Sequence, residues 1–472
     1  MTPQEFRAHA HALVDWMADY MSGVEALPVV PAVAPGAIRR TLPSHPPAAG
    51  EPFERIMADF ETIIVPGMTH WNHPGWFGYF PANNSPPSIL AEMLTATLGA
   101  QCMSWQTSPA ATELEQVVME WLQQMLGLPE TFTGVIQDTA STATLVALLT
   151  ARDRAAADPG RLTVYASAEA HSSVSKGARL AGFQPEHLRV VPVNGAFAMD
   201  PSALEGLVAA DIAARLVPAC VVATVGTTSS TAIDPLPEIG AVCQRHGAWL
   251  HVDAAYAGAA AILPERRALF NGVELADSFV FNPHKWLLTN FDCSAYFVRD
   301  VPALLRTFSA APAYLRTAHD PEVVNFRDWG IQLGRRFRAL KLWFVIRSYG
   351  VEGLQAMLRR HIALAAEFRS WVEGAPGFVV PAPSPFGLVC LRHEPPALAG
   401  DGAALDAWNR DLLAEINAAG EVFFTHTQLD GRYTLRMAIG QWQTERRHVE
   451  RAWALIQHAA LDRERNKLHG TS

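Results

Sequence analysis

Five cysteines in 472 residues are too few and too scattered to form a framework. Cys102, Cys220, Cys243, Cys293 and Cys390 show no CxxC spacing and no pairing pattern, and several lie inside apolar runs. They read as reduced core residues, which excludes a disulfide-stapled secreted domain and fits the cytoplasm. An uninterrupted apolar run of about 18 residues, the length a membrane-spanning helix needs, is missing. So is a basic segment followed by an apolar one at the start of the chain, and the expectation is a cytoplasmic protein that engages no membrane. Positive charge is in deficit: 37 Lys and Arg face 46 Asp and Glu, a net charge of −9. That balance argues against a nucleic-acid or anionic-membrane surface and points to small-molecule partners. The 17 histidines show no metal-ligand spacing, since His9 and His11 would diverge on a helix, and no metal is expected. Internal repeats and low-complexity tracts are absent as well.

Apolar residues make up 49% of the chain, enough for a large core divided over two or three lobes. Thr2-Pro3-Gln4-Glu5 is a capping box with proline at the first helical position. Phe6, Ala10, Leu13, Met17 and Tyr20 then recur at helical spacing, a stripe that packs either on the core or on a partner subunit. Residues 29–52, rich in proline and alanine, read as an extended arm. The aromatic stretch 67–81 is broken so often by proline and glycine that it reads as a rigid pocket wall rather than one regular element. From Pro87 onward helical patterns alternate with short apolar runs at 134–137, 162–166, 221–225, 249–252, 278–281 and 292–298, which predicts an α/β fold with a mainly parallel sheet. The irregular segment 308–329 has the length of a lid. A long helix from Leu340, a strand at 388–391, a hairpin around 429–432 and a terminal helix capped by Thr444-Glu445 follow. The charged tail after Leu461 is expected to fray.

The chemistry centres on Asn282-Pro283-His284-Lys285-Trp286, which follows the buried run Ser278-Phe279-Val280-Phe281. A lysine at the end of such a strand is either a surface residue closing it or one held partly dehydrated, which disfavours its ammonium form and frees the amine to attack a carbonyl. One βαβ unit upstream, Asp253 stands at the exit of the strand Trp249-Leu250-His251-Val252. Strand ends are where open α/β sheets bind ligands. A lysine for an imine and an acid for a pyridinium nitrogen are the protein groups that pyridoxal 5′-phosphate requires. After Gly134-Val135-Ile136-Gln137, the small residues Thr139-Ala140-Ser141 open a helix whose N-terminal N–H groups and dipole suit a phosphate. His171 and Gly226-Thr227-Thr228 also follow strands, either as satisfied polar residues and a capped turn or as ligands.

Together with Leu333-Gly334-Arg335-Arg336-Phe337-Arg338, these motifs, in this order, strongly resemble the pyridoxal-phosphate-dependent aromatic L-amino-acid decarboxylases (group II decarboxylases) over essentially the whole chain. The resemblance implies a fold-type I enzyme with a mainly parallel, seven-stranded-type sheet flanked by helices. It implies an N-terminal helical dimerisation segment (1–85), a large cofactor-binding α/β domain (86–345) and a small C-terminal α+β domain (346–472). Pyridoxal phosphate would be joined to Lys285, with Asp253 on its ring nitrogen, His171 on its ring face, Ala140 and Ser141 at its phosphate, and Thr227, Thr228, Asn282 and His284 completing the site. The substrate's ring would lie among Trp71, Tyr79, Phe80, Pro81 and Ala82, with Gln101 and Met103 arriving from the neighbouring subunit of a homodimer with shared active sites, and Gly334 nearby. A mobile loop would present Tyr314 from Pro312-Ala313-Tyr314-Leu315.

The implied reaction converts tryptophan or 5-hydroxytryptophan, dihydroxyphenylalanine, tyrosine or phenylalanine to the arylalkylamine and CO2. Relatives that form an aldehyde with oxygen commonly lack the tyrosine matching Tyr314 or the histidine matching His171, and both stand here. A non-catalytic pyridoxal-phosphate-binding protein is the remaining alternative, disfavoured by the complete set of site residues. Ala82 replaces a usual threonine, Thr142 a common acidic residue, and Gln101 and Met103 apolar or aromatic ones. Gly334, where some relatives that prefer smaller phenolic rings have serine, leaves room for an indole.

Overall fold

The computed structural model describes residues 1–310 and 312–469, with side chains as far as 466; Ala311, at the head of the stretch carrying Tyr314, and the end of the charged tail lie outside the described residues. Seven strands form the larger sheet: β1 Thr133–Gln137, β2 Leu162–Ser167, β3 Leu188–Val191, β4 Val217–Thr224, β5 Trp249–Asp253, β6 Ser278–Phe281 and β7 Ser294–Val298. Their order is β1-β7-β6-β5-β4-β2-β3. Only β7 runs against its neighbours; β6, β5, β4, β2 and β3 are parallel, so the mainly parallel sheet expected from the alternating pattern is present. β2, β5, β6 and β7 are buried at every position, which is why they read as continuous apolar runs rather than as alternating ones. Helix Ala140–Ala155 covers one face through Val146 and Ala147, packed with Val164, Val222, Val280 and Tyr296. Helices Pro109–Leu126, Pro201–Ala213 and Leu236–His246 cover the other, against Tyr165, Val221, Leu250 and Phe279.

A second, antiparallel sheet comprises β8 Phe378–Val379, β9 Leu388–His393, β10 Thr425–Leu429 and β11 Arg432–Ala438 in the order β10-β11-β9-β8. Asp430 and Gly431, both at positive φ (50° and 74°), make the two-residue turn between β10 and β11, a backbone that matches strand twist. Helix Arg338–Glu373 links the sheets and breaks at Gly350 (φ 65°, ψ 171°); the expected 345/346 division falls within it, just before that break.

Two local expectations are corrected. The arm 29–52 is not extended throughout: helix Ala37–Thr41 interrupts it, and Val29 is fully buried, its N–H donating to Gly420 O and its carbonyl accepting from His70 N–H, both at 2.9 Å. The tail does not fray at Leu461, because helix Arg446–His469 continues past it. Arg463 anchors that turn by pairing with Asp411 (3.0 Å) and Glu415 (3.5 Å) and lying over the Trp408 ring. The capping box at Thr2 and Glu5 is formed, yet helix Pro3–Gly23 buries none of its residues in this chain. All five cysteines are free and buried, and no helix among the described residues is long and apolar enough to cross a membrane.

Candidate active site

A cavity of about 230 Å3 opens where β4, β5 and β6 end, bordered by Phe80, Ala140, Ser141, His171, Thr224, Thr228, Asp253, Asn282, His284 and Lys285 among others. Lys285 rides on the single-turn helix Pro283–Trp286 directly after β6. Asn282 fixes that turn: its N–H donates to Ala255 O (2.9 Å), its Oδ1 accepts from Ser294 Oγ (2.7 Å), and its carbonyl accepts from Lys285 N–H (2.9 Å). Burial lowers the pKa of the Lys285 amine and Arg436 adds to the effect, while Asp253 opposes it. A larger share of free amine is the result.

Asp253, 4% exposed at the end of β5, accepts the Ala255 N–H on Oδ1 at 3.0 Å. His171 borders the cavity; its Nδ1 lies 2.8 Å from Ser173 Oγ and accepts the Ser173 N–H at 3.2 Å. Desolvation lowers its pKa, opposed by Asp253 and assisted by Lys285. His284 accepts the Cys293 N–H on Nδ1 (3.0 Å), and burial followed by the charge of Lys285 brings its pKa down to about 3. Its proton therefore resides on Nε2, leaving a neutral donor.

Helix Ala140–Ala155 starts at the cavity, with Thr139 as N-cap accepting the Thr142 N–H at 3.4 Å. First-turn N–H groups have no acceptor within the helix, and the dipole there favours an anion. Thr228 borders the cavity, whereas Thr227 is buried behind it: its Oγ1 accepts the Ala232 N–H (3.0 Å) and pairs with Ser230 Oγ (3.1 Å), so it shapes the loop. Gly226 (φ 85°) lets that loop close in, since a Cβ there would stand 2.5 Å from Ala257 Cβ.

Phe80 is the one residue of the aromatic stretch that borders the cavity. It stacks on Tyr256 (3.9 Å between centroids, 13°), which stacks on Trp286 (4.7 Å, 14°), whose Nε1–H donates to His361 Nδ1 at 3.0 Å. Trp71 and Tyr79 instead stack on each other (5.7 Å, 11°) toward solvent, and neither they nor Pro81 and Ala82 border the cavity. Gln101, Met103 and Gly334 gather elsewhere: Arg335 N–H donates to Gln101 Oε1 and Arg327 N–H to Met103 O, both at 2.8 Å, while a Cβ on Gly334 would lie 3.2 Å from Gln101 Nε2. Tyr314, on the turn Ala313–Leu315, is 79% exposed and away from the cavity.

Arg436 on β11 escaped the sequence reading. It is 3% exposed, with Nε donating to Ser229 O (3.1 Å), Nη1 to Thr425 Oγ1 (3.0 Å) and Nη2 to Thr228 O (2.6 Å), and its guanidinium lies 5.3 Å from the Phe80 centroid. No carboxylate among the described residues pairs with it, and burial lowers its pKa. Its signal was a cation inside the strand pattern Tyr433-Thr434-Leu435-Arg436-Met437, a position that is costly to fill unless an anion is bound nearby.

An amine of lowered pKa, a buried carboxylate, a neutral imidazole donor and a helix N-terminus around one cavity fit the aldehyde, ring nitrogen and phosphate of pyridoxal phosphate. Residues 35–394 match the pyridoxal-dependent decarboxylase conserved domain. The chain is 46% identical to the aromatic-L-amino-acid decarboxylase of Sus scrofa, with 98% of this chain and 97% of that protein aligned. It is 43% identical to the phenylacetaldehyde synthase of Arabidopsis thaliana, with 98% and 96% aligned. A crystal structure of Oryza sativa TDC with PLP and tryptamine superposes with a TM-score of 0.96 at 40% identity, covering 98% of this chain and 99% of that one. With the fold, the cavity and the alignments in agreement over nearly its full length, the chain belongs to the pyridoxal-phosphate-dependent aromatic amino acid decarboxylase family, a group of carboxy-lyases whose cofactor it shares.

Proposed function

We propose that the protein decarboxylates aromatic L-amino acids to the arylalkylamine and CO2, with one proton taken up at Cα for each CO2 released. The observation that carries this reading is the meeting of Lys285, Asp253 and His171 in a single cavity, from three separate strand ends. Pyridoxal phosphate, when bound, supplies a sink for the electron pair left by the broken bond between Cα and the carboxylate. Lys285 would hold it through its amine, the group whose pKa burial lowers. Asp253 keeps the ring nitrogen protonated, Ala140, Ser141 and the His284 Nε2–H hold the phosphate, and Asn282 and Thr228 hold the walls. His171 covers the ring face. Arg436, buried without an acidic partner behind Phe80 and Thr228, lends positive charge to the wall that those two residues form, which favours an anionic substrate group.

Selecting the ring and returning the proton fall, Phe80 apart, to residues outside the cavity of one chain. The proposal is that Trp71, Tyr79, Phe80, Pro81 and Ala82 of one subunit meet Gln101, Met103 and Gly334 of its partner in a homodimer, and that Tyr314 protonates Cα once its loop closes. Support for a dimer comes from helix Pro3–Gly23, none of whose residues is fully buried, and from helix Pro86–Leu98, which exposes Leu90, Met93, Leu94 and Leu98 along one stripe.

A second reading, oxygen-dependent conversion to an aldehyde, is favoured by the relative named phenylacetaldehyde synthase. Incubation with tryptophan, tyrosine, dihydroxyphenylalanine and phenylalanine, assaying amine, CO2, hydrogen peroxide and oxygen uptake, separates the two. Amine equal to CO2 with no oxygen consumed is expected. Peroxide equal to CO2 would replace the first reading with the second.

A further inference from the structure

Thr224 ends β4 in register with Asp253 at the end of β5, and parallel register partners project to the same face of a sheet. Its side chain is buried, 5% exposed, and borders the cavity, yet its hydroxyl has no hydrogen-bond partner among the described residues. An unpaired buried hydroxyl is a standing cost, normally relieved by a neighbour or by a bound ligand. Backbone adjustment does not relieve it here. Thr224 N–H donates to Asp234 Oδ2 (2.7 Å), Thr224 O accepts from Asp234 N–H (2.9 Å), and Val225 N–H donates to Asp253 O (3.0 Å), so the main chain is clamped on both sides and only the side chains can turn.

We propose that Thr224 is a positioning residue: its hydroxyl donates to the Asp253 carboxylate in the holoenzyme and holds that carboxylate in the orientation that meets the ring nitrogen. This rests on the functional reading above, in which Asp253 serves the ring. The hydroxyl is thus kept unpartnered by the protein alone and paired when the cofactor is in place, which makes its contribution visible as a difference between the two states.

The test compares Thr224→Val, which keeps the shape and removes the hydroxyl, with Thr224→Ser, which keeps the hydroxyl. Removing one hydrogen bond to a charged group should weaken cofactor binding and lower kcat by roughly tenfold each in Thr224→Val, with altered visible circular dichroism of the bound cofactor. The melting temperature of its cofactor-free form should be unchanged or raised, because the lost hydroxyl had no partner there. Thr224→Ser should keep binding, rate and dichroism close to wild type. Wild-type affinity and rate in Thr224→Val would overturn the proposal. So would equal impairment of both variants with a lowered melting temperature of the cofactor-free protein, which would mark a packing role. Borohydride reduction and peptide mass mapping keep the two ideas apart. A wild-type adduct on Lys285 with an indifferent Thr224 sinks only the positioning role, and no adduct on Lys285 sinks the functional reading and this inference together.

Discussion

Around Lys285 the carboxylate of Asp253, the ring of His284 and the amide of Asn282 are held by buried partners, whereas Trp71, Gln101, Tyr314 and Gly334 are themselves open to solvent in the single chain. The first region sits at the ends of strands that are buried on both faces, where hydrogen bonds are largely shielded from water and the main chain is fixed. The second is made of turns and loops, tied to one another at Gln101 and Arg335 but otherwise held from outside, Trp71 O by Gln441, Tyr79 N–H by Thr425 and the Arg335 guanidinium by Glu115. The contrast teaches that breaking the carboxylate bond and choosing the substrate are separable in construction. One chain assembles the electron sink's supports; under the proposed function a second copy and a loop closure would assemble the rest.

The largest expected effects test that separation directly. Asp253→Ala removes the acid from the rigid centre and should lower kcat by roughly 10²–10³-fold or more while the fold is retained. Tyr314→Phe touches only the open region: it should cost the amine-forming step about 10²–10⁴-fold, the usual worth of a general acid, with cofactor affinity unchanged and some peroxide gained. Rate and cofactor titration on both variants check this. If Tyr314→Phe loses cofactor, or if Asp253→Ala turns over normally, the two regions are not divided as described.

The same contrast governs what a reader of the sequence could see. Lys285 and Asp253 were legible because chemistry restricts the residue type and buried strands announce themselves as apolar runs, so type and place coincide. Arg436, Tyr256 and Thr224 were not. Arg436 becomes informative only because β11 of the second sheet brings it against Thr228 and Ser229, some two hundred positions upstream, and Thr224 only because β4 pairs with β5 in a particular register. The pocket-wall reading of 67–81 was half legible: glycines and prolines do break the stretch into turns, but periodicity carries no information about which ring faces a cavity, and only Phe80 does. The short helix Ala37–Thr41 escaped notice because five residues are too few to show a period.

Acid should discriminate the regions next. His251, with a pKa of about 4, lies beneath Asp253; His284, about 3, borders the cavity; His361, about 3, backs Trp286, and burial is the first cause in each. Their ordinary value is near 6.5, so the unfolded chain binds more protons than the folded one as pH falls below it, and stability held above that value is lost progressively on the way down to 3–4. Each histidine forfeits on the order of 2 kcal/mol between about pH 7 and pH 5. Asp234, raised to about 6 by burial, has the opposite sign, gaining stability over part of the same interval, and offsets roughly one histidine. Net destabilisation, centred on the cofactor site, is expected. Calorimetry of the holoenzyme should show the melting temperature falling from pH 7 to 5 in step with cofactor release; a flat profile would remove the histidines from the support of the centre.

The smallest effect belongs to Gly334, and it decides which chain does the choosing. Arg335 N–H holds Gln101, and the Cβ of a residue at 334 would touch the Gln101 amide at 3.2 Å, close enough to displace its flexible end without disturbing the backbone. If Gln101 reaches a neighbour's cavity, Gly334 must go with it, because the two are bonded within one chain. Gly334→Ser should therefore shift the kcat/KM ratio of indole to phenol substrates by about tenfold, the usual worth of a small steric change in a pocket, with an unchanged melting temperature. A mixed dimer of one Lys285→Ala chain and one Gly334→Ser chain has a single working lysine, on the chain bearing the serine. Wild-type selectivity from that lysine means the partner supplies position 334, whereas the shifted selectivity of the all-serine dimer would place ring selection within one subunit and dissolve the division drawn between the two regions.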